Sequence, residues 1–403
     1  MKTALFDNKK LRFGILLLIC ILSGAEVDIF TPSMPDIQHF FAITPAEIAL
    51  TISVNFIAYC VCTFFVGPLG DKLNRRMVMN AGLLIFLLGS ILCVFSPSFT
   101  WLLIGRALQG IGMSAPAILN IAILVDDYPP EKQAKVLGLL NGSVTAAMAF
   151  APVLGSWVNQ QFSWRGNFQV LLWISVLSLI GSFLTVNSKP GNKSISLSPK
   201  AYWPLLCNRE LMLLVGTMSF MSATYWSFVG LSSILYIEGF GVSVTQFGYY
   251  QGALCGIFAI GSFLLPKFLS WFTEAQCMRW SLQLCYASLG LVLLLAMWNV
   301  SSPMMITMVM VIYSIAVICP CNILYPRTLK VIENSEARAG AMVNGLRLLI
   351  TGVSISIMST LYDGTFRSIG LGIAINLSFA LLCVRGLGLV SKSEEVSIKA
   401  ESV

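Results

Sequence analysis

Two acidic residues stand in a stretch that is otherwise apolar enough to lie in a membrane. Glu26 and Asp28 directly follow the apolar run 13–23, and the other long apolar segments carry no acidic residue well inside them. A carboxylate in hydrocarbon is costly, so we expect each to face a partner or a wet cavity and to have a function. The chemistry open to such a group is to take up a proton when it is withdrawn from water and to release it when it is exposed.

The composition places this pair in an integral membrane protein. Of 403 residues, 57% are hydrophobic and only 11% are charged, whereas about a quarter of a soluble domain is charged. The apolar runs are continuous over about 20 residues, which favours helices over barrel strands. The basic start at 9–12 resembles a signal peptide, but no small-residue cleavage site follows it, and we interpret 12–31 as the first span.

Hydropathy predicts an all-α membrane protein with twelve transmembrane helices in two pseudo-symmetric six-helix bundles. The predicted spans are 12–31, 47–69, 77–96, 99–125, 134–159, 166–187, 209–232, 244–266, 276–298, 303–325, 338–361 and 366–385. The polar break 188–208 is predicted to be a cytoplasmic linker between an N-terminal bundle, 1–187, and a C-terminal bundle, 209–403. Similar Gly-Asn patterns at 138–142 and 340–345 suggest the internal repeat that secondary transporters use.

Charge predicts the orientation of the spans. Nearly all Lys and Arg residues outside the spans fall in the termini, the linker and the loops on their side, and the opposite loops carry only Arg165 and Arg367. The positive-inside rule therefore predicts that both termini are cytoplasmic. The net charge of +7 reflects this bias and does not indicate a nucleic-acid partner.

Cofactor chemistry has little support in the sequence. The eleven cysteines have neither zinc-site nor disulfide spacing, so we interpret them as small core residues, and the single His39 makes no metal site. No span carries a nucleophile and base pair, which argues against an enzyme. No P-loop is present, so an ion gradient must drive any transport.

The loop between the second and third spans resembles a known family. Residues 67–76 read GPLGDKLNRR, which is similar to the G-x-L-x-D-r-x-G-R-R loop of the major facilitator superfamily, where the loop latches the outward-facing state. The resemblance implies a gating role for Gly67, Asp71, Arg75 and Arg76. Asp71 can cap or pair with the next helix start, and the arginines can reach acidic groups or helix carbonyls. Asn74 replaces the usual glycine, and we expect it to tolerate a left-handed turn.

The fourth span carries an arginine in mid-membrane. Residues 103–112 read LIGRALQGIG and resemble the family's R-x-x-q-G-x-g motif, in which the arginine is implicated in proton transfer. Arg106 is thereby a candidate for proton coupling. The alternative is a structural role, as an ion pair or as a clamp on carbonyl groups. Arg347, nearer the cytoplasmic edge, is interpreted as structural.

The fifth span resembles the antiporter motif, G-x-x-x-G-P-x-x-G-G, of drug-proton antiporters. Residues 147–156 read AMAFAPVLGS, in which Pro152 and Gly155 keep their places while Ala151 and Ser156 replace glycines. The motif needs small residues and a proline bend where two helices approach closely, and alanine and serine still allow this.

The first span also resembles one branch of the family. D-x-y-x-P-x-x-P, here 28–35, is common in the bicyclomycin-resistance and chloramphenicol-efflux-like branch, and the seventh span, 220–241, is similar to that branch as well. Where the branch often has an Arg-Asp pair, this chain has Val-Asp-Asp at 125–127. The branch pattern makes Asp28 the first candidate for coupling and Glu26 the second. About 200° apart on a helix, they should face different walls. The alternative is that Asp28 snorkels to the outer interface.

Polar and aromatic residues within the spans are candidates for a central substrate cavity. They are Asn55, Tyr59, Gln109, Asn120, Met148, Tyr225, Trp226, Tyr249, Gln251, Tyr313 and Asn322. As a set they suit an amphipathic organic solute. Each alone is equally compatible with an interhelical hydrogen bond or core packing.

The resemblance implies a secondary transporter of the bacterial inner membrane, a multi-pass monomer without cofactors. Its partners would be protons, the lipid bilayer and small amphipathic organic compounds, which it would export by alternating access. Two alternatives remain. One is a dedicated carrier of a single natural product such as a siderophore, outward or inward, and the other is a transporter-like receptor or assembly protein.

Overall fold

A computed structural model of the protein describes residues 9–186, 202–332 and 336–388. For some residues in these ranges only the backbone is described: Asp71, Val125, Asp126, Pro130, Ala134, Glu336 and Ala337. Most of the predicted linker 188–208 lies outside the described residues. Internal packing divides the chain into two units, Met1–Ser198 with Ser243–Gly252, and Pro199–Val242 with Ala253–Val403.

The first unit is helical in its described part, with apolar side chains buried between the helices. Its elements are α1 Lys9–Ala25, a 3₁₀ turn Thr31–Ser33, α2 Met34–Phe41, α3 Pro45–Lys72, α4 Arg75–Val94, α5 Phe99–Asp127 and α6 Pro130–Thr185. Helix α3 begins with a capping box, in which Thr44 Oγ1 accepts from the amide of Glu47 and the Glu47 carboxylate accepts from the amide of Thr44.

Helix α6 carries the fifth and sixth predicted spans in one stretch. As one straight helix its 56 residues would extend about 84 Å, far beyond the roughly 30 Å of a bilayer core. Ser163 interrupts it with φ 58° and ψ 178°. Asn167 Nδ2 donates to the carbonyl oxygen of Gly155 at 3.1 Å, so the two arms lie side by side. The two predicted spans form a hairpin that turns at Ser163.

The described part of the second unit is helical as well. Its elements are α7 Trp203–Leu206, α8 Arg209–Ile234 with a π-helical turn Leu235–Gly239, α9 Val244–Leu269, whose first residues belong to the first unit, α10 Glu274–Met297, α11 Pro303–Ala316, α12 Ile318–Leu329, α13 Glu336–Thr360 and α14 Phe366–Gly386. The α11–α12 span is interrupted because Pro320 has no amide hydrogen for the carbonyl of Ala316. The Ser281 hydroxyl donates to that carbonyl instead.

Ten helical stretches in the described part of the chain are long and apolar enough to cross a membrane. Helix α1, with 17 residues, is shorter because the first span breaks after Ala25, and α6 contributes two spans. Together these give the predicted twelve transmembrane helices of an all-α membrane protein.

Candidate functional site

The first span breaks at its acidic residues. Helix α1 ends at Ala25, and residues 26–30 form a turn. Pro32 has no amide hydrogen, and in a continuing helix its ring would clash with the carbonyl of Asp28. Thr31 Oγ1 donates to that carbonyl at 2.9 Å, so the hydrogen bond that proline cannot make is replaced.

The prediction of a continuous helix over 12–31 is therefore wrong beyond Ala25. The angle of about 200° between Glu26 and Asp28, which assumed a helix, does not describe the turn. Both residues lie in the protein interior, with exposed fractions of 4% and 0%.

Asp28 is a buried carboxylate without a good partner. Among the described residues, neither of its carboxylate oxygens makes a hydrogen bond of good geometry, although the side chain of Gln251, in the same unit, adjoins it. With an exposed fraction of 0%, the side chain does not snorkel to an interface. Such a group costs free energy in a resting fold, which favours a function for it.

Glu26 has different neighbours. Its carboxylate adjoins the side chain of Asn55 and lies within electrostatic reach of the Arg106 guanidinium. One turn therefore holds two carboxylates in separate environments, one beside a cation and an amide and the other beside an amide alone.

Arg106 is fully buried and binds the backbone of two other spans. Its Nε donates to the carbonyl of Thr51 at 3.1 Å, and its Nη1 lies 3.4 Å from the carbonyl of Glu26. Its guanidinium also lies over the ring of Phe30, 4.4 Å from the centroid. These contacts match the clamp on carbonyl groups, which is one of the alternative roles that the sequence allows for Arg106. They hold the turn after α1 in place.

Gln109 positions the guanidinium of Arg106. The Gln109 Oε1 accepts from Nη1 at 2.7 Å, and its Nε2 donates to the Ser90 hydroxyl at 2.9 Å. Asn55 Nδ2 completes the arrangement by donating to the backbone carbonyl of Arg106 at 3.1 Å. Buried polar groups linked in this way hold one another in a single geometry.

The antiporter-motif arm of α6 packs against the acidic turn. A Cβ at Gly155 would overlap the carbonyl oxygen of Ile29, so only glycine allows this approach. Pro152, three residues earlier, lies in the same arm and leaves the carbonyl of Met148 without its helical donor. The structure thus brings the antiporter-motif residues and the acidic residues together.

Two asparagines that the sequence analysis missed support this contact. Asn167 Nδ2 donates to the hydroxyl of Ser33 at 2.6 Å, and Asn159 Nδ2 donates to the Asp36 carboxylate at 2.6 Å. Asn167 is fully buried. An asparagine inside a predicted span is the signal that could have identified it.

The loop 67–76 anchors the ends of other helices. Arg75 Nη1 donates to the carbonyl of Ala122 at 3.2 Å, and Arg76 Nη2 to that of Phe183 at 2.5 Å. Phe183 lies in the last turn of α6, where cations are favoured, and Ala122 lies five residues before the end of α5. Gly67 has open space where a Cβ would stand, and the side chain of Asp71 lies outside the described residues.

Asn74 does not take up the left-handed turn that we expected. Its φ of −176° is extended, and its Oδ1 accepts from the amides of Arg76 at 2.9 Å and Met77 at 3.4 Å. It is the N-cap of α4, for which asparagine is a preferred residue. The substitution of the family's glycine therefore has a local structural reason.

At residues 125–127 the chain differs from the branch pattern, and one of the two acidic residues there forms an ion pair. Arg12 Nε lies 2.7 Å from the Asp127 carboxylate, and Arg12 Nη1 donates to the carbonyl of Thr185 at 3.2 Å. The pair joins the start of α1 to the ends of α5 and α6. The sequence does not reveal this pair, because both residues lie at the ends of predicted spans, where charged residues are ordinary.

The proposed cavity residues fall into two groups. Five are buried: Asn55, Gln109, Asn120, Gln251 and Tyr313. Of these, Asn120 donates to the carbonyl of Leu16 and Tyr313 to that of Met221, as in interhelical packing. The six others are partly or fully exposed: Tyr59, Met148, Tyr225, Trp226, Tyr249 and Asn322.

No group of three or more His, Cys, Asp or Glu residues in the described ranges could hold a metal ion.

Comparisons with known proteins agree with this architecture. The multidrug resistance protein MdtL of Citrobacter koseri is 28% identical over 279 residues, which cover 69% of this chain and 71% of that protein. An Escherichia coli MdtL is 26% identical over 276 residues, 68% of this chain and 70% of that protein.

Solved structures share the fold. A bacterial homologue of the human lysosomal transporter Spinster, inward-facing and unoccupied, has a TM-score of 0.74 at 16% identity and covers 96% of this chain and 98% of its own. A D-xylose-proton symporter has a TM-score of 0.73 at 11% identity, covering 91% and 96%.

The family model described as Major Facilitator Superfamily matches residues 16–359. That range contains the acidic turn, the loop 67–76, Arg106 and the Gly155 contact. The predicted transporter, as opposed to an enzyme, is confirmed, and this multi-pass membrane protein belongs to the Major Facilitator Superfamily.

Proposed function

We propose that this protein is a proton-coupled antiporter that exports small amphipathic organic compounds by alternating access. Its location is the bacterial inner membrane, with both termini cytoplasmic, and it works as a monomer. The observation that carries the proposal is the buried Asp28 carboxylate, which stands in a break of the first span, within a turn that packs against the antiporter-motif arm. The names of the MdtL relatives favour a broad range of substrates over a dedicated siderophore carrier.

Coupling follows from the two environments that Asp28 meets in the transport cycle. Withdrawn from water, a carboxylic acid favours its protonated form; in a wet cavity it favours the carboxylate. If proton and substrate compete for Asp28, the arrival of one expels the other, and the proton gradient drives export. Glu26, held near Arg106, is the second coupling candidate.

Arg106 acts in this proposal by holding the acidic turn in place. Its hydrogen bonds to the carbonyls of Glu26 and Thr51 fix the backbone on which both carboxylates stand. The gating loop with Gly67, Asp71, Arg75 and Arg76 acts at the cytoplasmic side, where its arginines bind helix ends. The exposed cavity candidates, with Tyr225 and Trp226 in edge-to-face contact, supply the adaptable wall that varied substrates need.

Proton release from inside-out vesicles with an imposed pH gradient tests the proposal. Cationic, neutral and anionic compounds, siderophores included, are added to vesicles with the wild-type protein, Asp28→Asn or Asp36→Asn. Asp36 is exposed, lies in the same segment and can keep its bond to Asn159 as an asparagine, so it is the matched control. We expect several compounds to trigger release in wild type and control but not in Asp28→Asn.

Release that persists in Asp28→Asn would move coupling to Glu26, and Glu26→Gln would then abolish it. A response to a single natural product would favour the dedicated carrier. The absence of any response would contradict drug export.

A further inference from the structure

The second unit has a groove that plays no part in the proposed coupling. It has a volume of about 750 Å³ and lies between α13 and α14, with Phe220 of α8 among its lining residues. Its walls are almost entirely apolar, and several of the side chains that form them are strongly exposed, such as Ile357 at 55% and Ile375 at 58%. Hydrocarbon accommodates such exposed apolar walls better than water does, which favours a groove that opens to the bilayer.

The dimensions of the groove match one leaflet. Along α13 its lining runs from Leu349 to Leu361, and along α14 from Arg367 to Phe379. Twelve helical steps rise about 18 Å, and one leaflet of a hydrocarbon core about 30 Å thick measures about 15 Å. An acyl chain that enters at one end therefore reaches the full depth of the groove.

Away from the N-terminus of α14, the lining of the groove carries no charged residue. Phe220 and Phe379 stack with their ring centroids 5.2 Å apart. The Ser354 hydroxyl donates to Asn376 Oδ1 at 3.0 Å, which satisfies polar groups between the two helices. Apart from these two polar side chains, this part of the lining offers an acyl chain apolar contact.

Charged residues stand at one end only, next to the N-terminus of α14. Arg367 is exposed and makes no hydrogen bond or ion pair with the described residues. Asp363, also exposed, precedes it by four residues, and its Oδ1 accepts hydrogen bonds from the amide and hydroxyl of Thr365 and from the hydroxyl of Ser368. A cation and a fixed carboxylate at the same end of the groove complement a zwitterionic headgroup with a phosphate and an ammonium group.

We propose that this groove is a binding site for a phospholipid with a zwitterionic, amine-bearing headgroup of the phosphatidylethanolamine type. One of its acyl chains lies between α13 and α14, its phosphate is bound by Arg367, and its ammonium group faces Asp363. On the predicted orientation the lipid belongs to the outer leaflet. An anionic headgroup that lacks the amine gains the arginine contact but is repelled by the carboxylate.

Native mass spectrometry of the delipidated full-length protein, titrated with phosphatidylethanolamine or phosphatidylglycerol of the same acyl chains, tests this site. Ile375→Trp fills the groove. Leu382→Trp is its control, because Leu382 lies seven residues further along α14, is equally exposed at 58% and is outside the groove. Arg367→Gln removes the phosphate contact and leaves the groove open.

We expect wild type and Leu382→Trp to prefer the ethanolamine lipid. Arg367→Gln should bind it about tenfold more weakly, the ratio expected for the loss of one charge-assisted hydrogen bond. Ile375→Trp should weaken the binding of both lipids. Equal binding of the two lipids by wild type, or equal binding by the two tryptophan variants, would overturn the proposal. Displacement of the bound lipid from wild type by a compound that the vesicle assay shows to be exported would also overturn it, since the groove would then be a solute site.

Discussion

Gly155 packs directly on the backbone carbonyl of Ile29, within the turn that holds Glu26 and Asp28. This contact joins the antiporter motif of α6 to the acidic turn of the first span. A side chain at position 155 would displace the turn. The two acidic residues can therefore occupy their positions only if residue 155 is a glycine.

The first prediction concerns this contact. Gly155→Val should lower stability by about 1–3 kcal/mol, as overpacking does, and should abolish substrate-induced proton release because the turn must move. Gly142, in the same helix arm, has open space around its Cβ position, so Gly142→Ala should cost nothing and can add up to about 1 kcal/mol of helix stability. Thermal unfolding in detergent and the vesicle assay provide both measurements. Equal effects of the two substitutions would contradict the role of the contact.

The second prediction concerns the Arg12–Asp127 ion pair. Because Arg12 is buried and Asp127 is not exposed, Asp127→Asn should leave the cation without its carboxylate partner and cost about 1–3 kcal/mol, as an unsatisfied buried donor does. The double variant Arg12→Gln/Asp127→Asn should cost less than the sum of the two single changes, as for residues in direct contact. Chemical denaturation of the four proteins measures the coupling. Strict additivity would show that the pair does not contribute.

The third prediction is a pH dependence at the start of α3. The Glu47 carboxylate accepts hydrogen bonds from the amide and the hydroxyl of Thr44. A carboxylate that is hydrogen-bonded in the folded state stabilises the fold while it is ionised, and this contribution is lost as a falling pH protonates it. The destabilisation caused by Glu47→Gln should therefore be larger at pH 7 than at pH 3.

The Thr273–Gln276 capping box at the start of α10 is the control for this pH dependence. It has the same geometry with a neutral acceptor. The midpoint shift caused by Gln276→Ala should stay constant across the same pH range. A constant effect of Glu47→Gln would contradict a titrating cap.

Sequence alone predicted the twelve spans and the family because hydropathy and short motifs are local properties. It did not predict the break after Ala25, although Pro32 and Pro35 gave the signal, because a proline in a span can either kink a helix or end it. It also assigned Asn74 to a turn when the residue caps a helix. Both outcomes depend on which backbone groups need a partner, which tertiary packing decides.

For a related reason, the sequence could not predict the hydrogen-bond partners of buried polar residues. Gln109 was a plausible cavity residue, but its amide joins Arg106 to Ser90. No motif of the sequence contains Asn167, yet its side chain joins α6 to the segment after the acidic turn. Only the distances between spans show which polar side chains bind each other and which face the cavity.

The last prediction separates the two roles left open for Arg106. Lysine keeps the charge but lacks the forked donors that reach Thr51, Glu26 and Gln109 together. If Arg106 holds the acidic turn, Arg106→Lys should lower stability by about 2 kcal/mol, as the loss of hydrogen bonds to a charged group does, and reduce transport along with it. Arg347→Lys, at a half-buried arginine on α13, is the control and should change neither. An Arg106→Lys protein with the wild-type unfolding midpoint but no proton release would instead make proton transfer the role of Arg106.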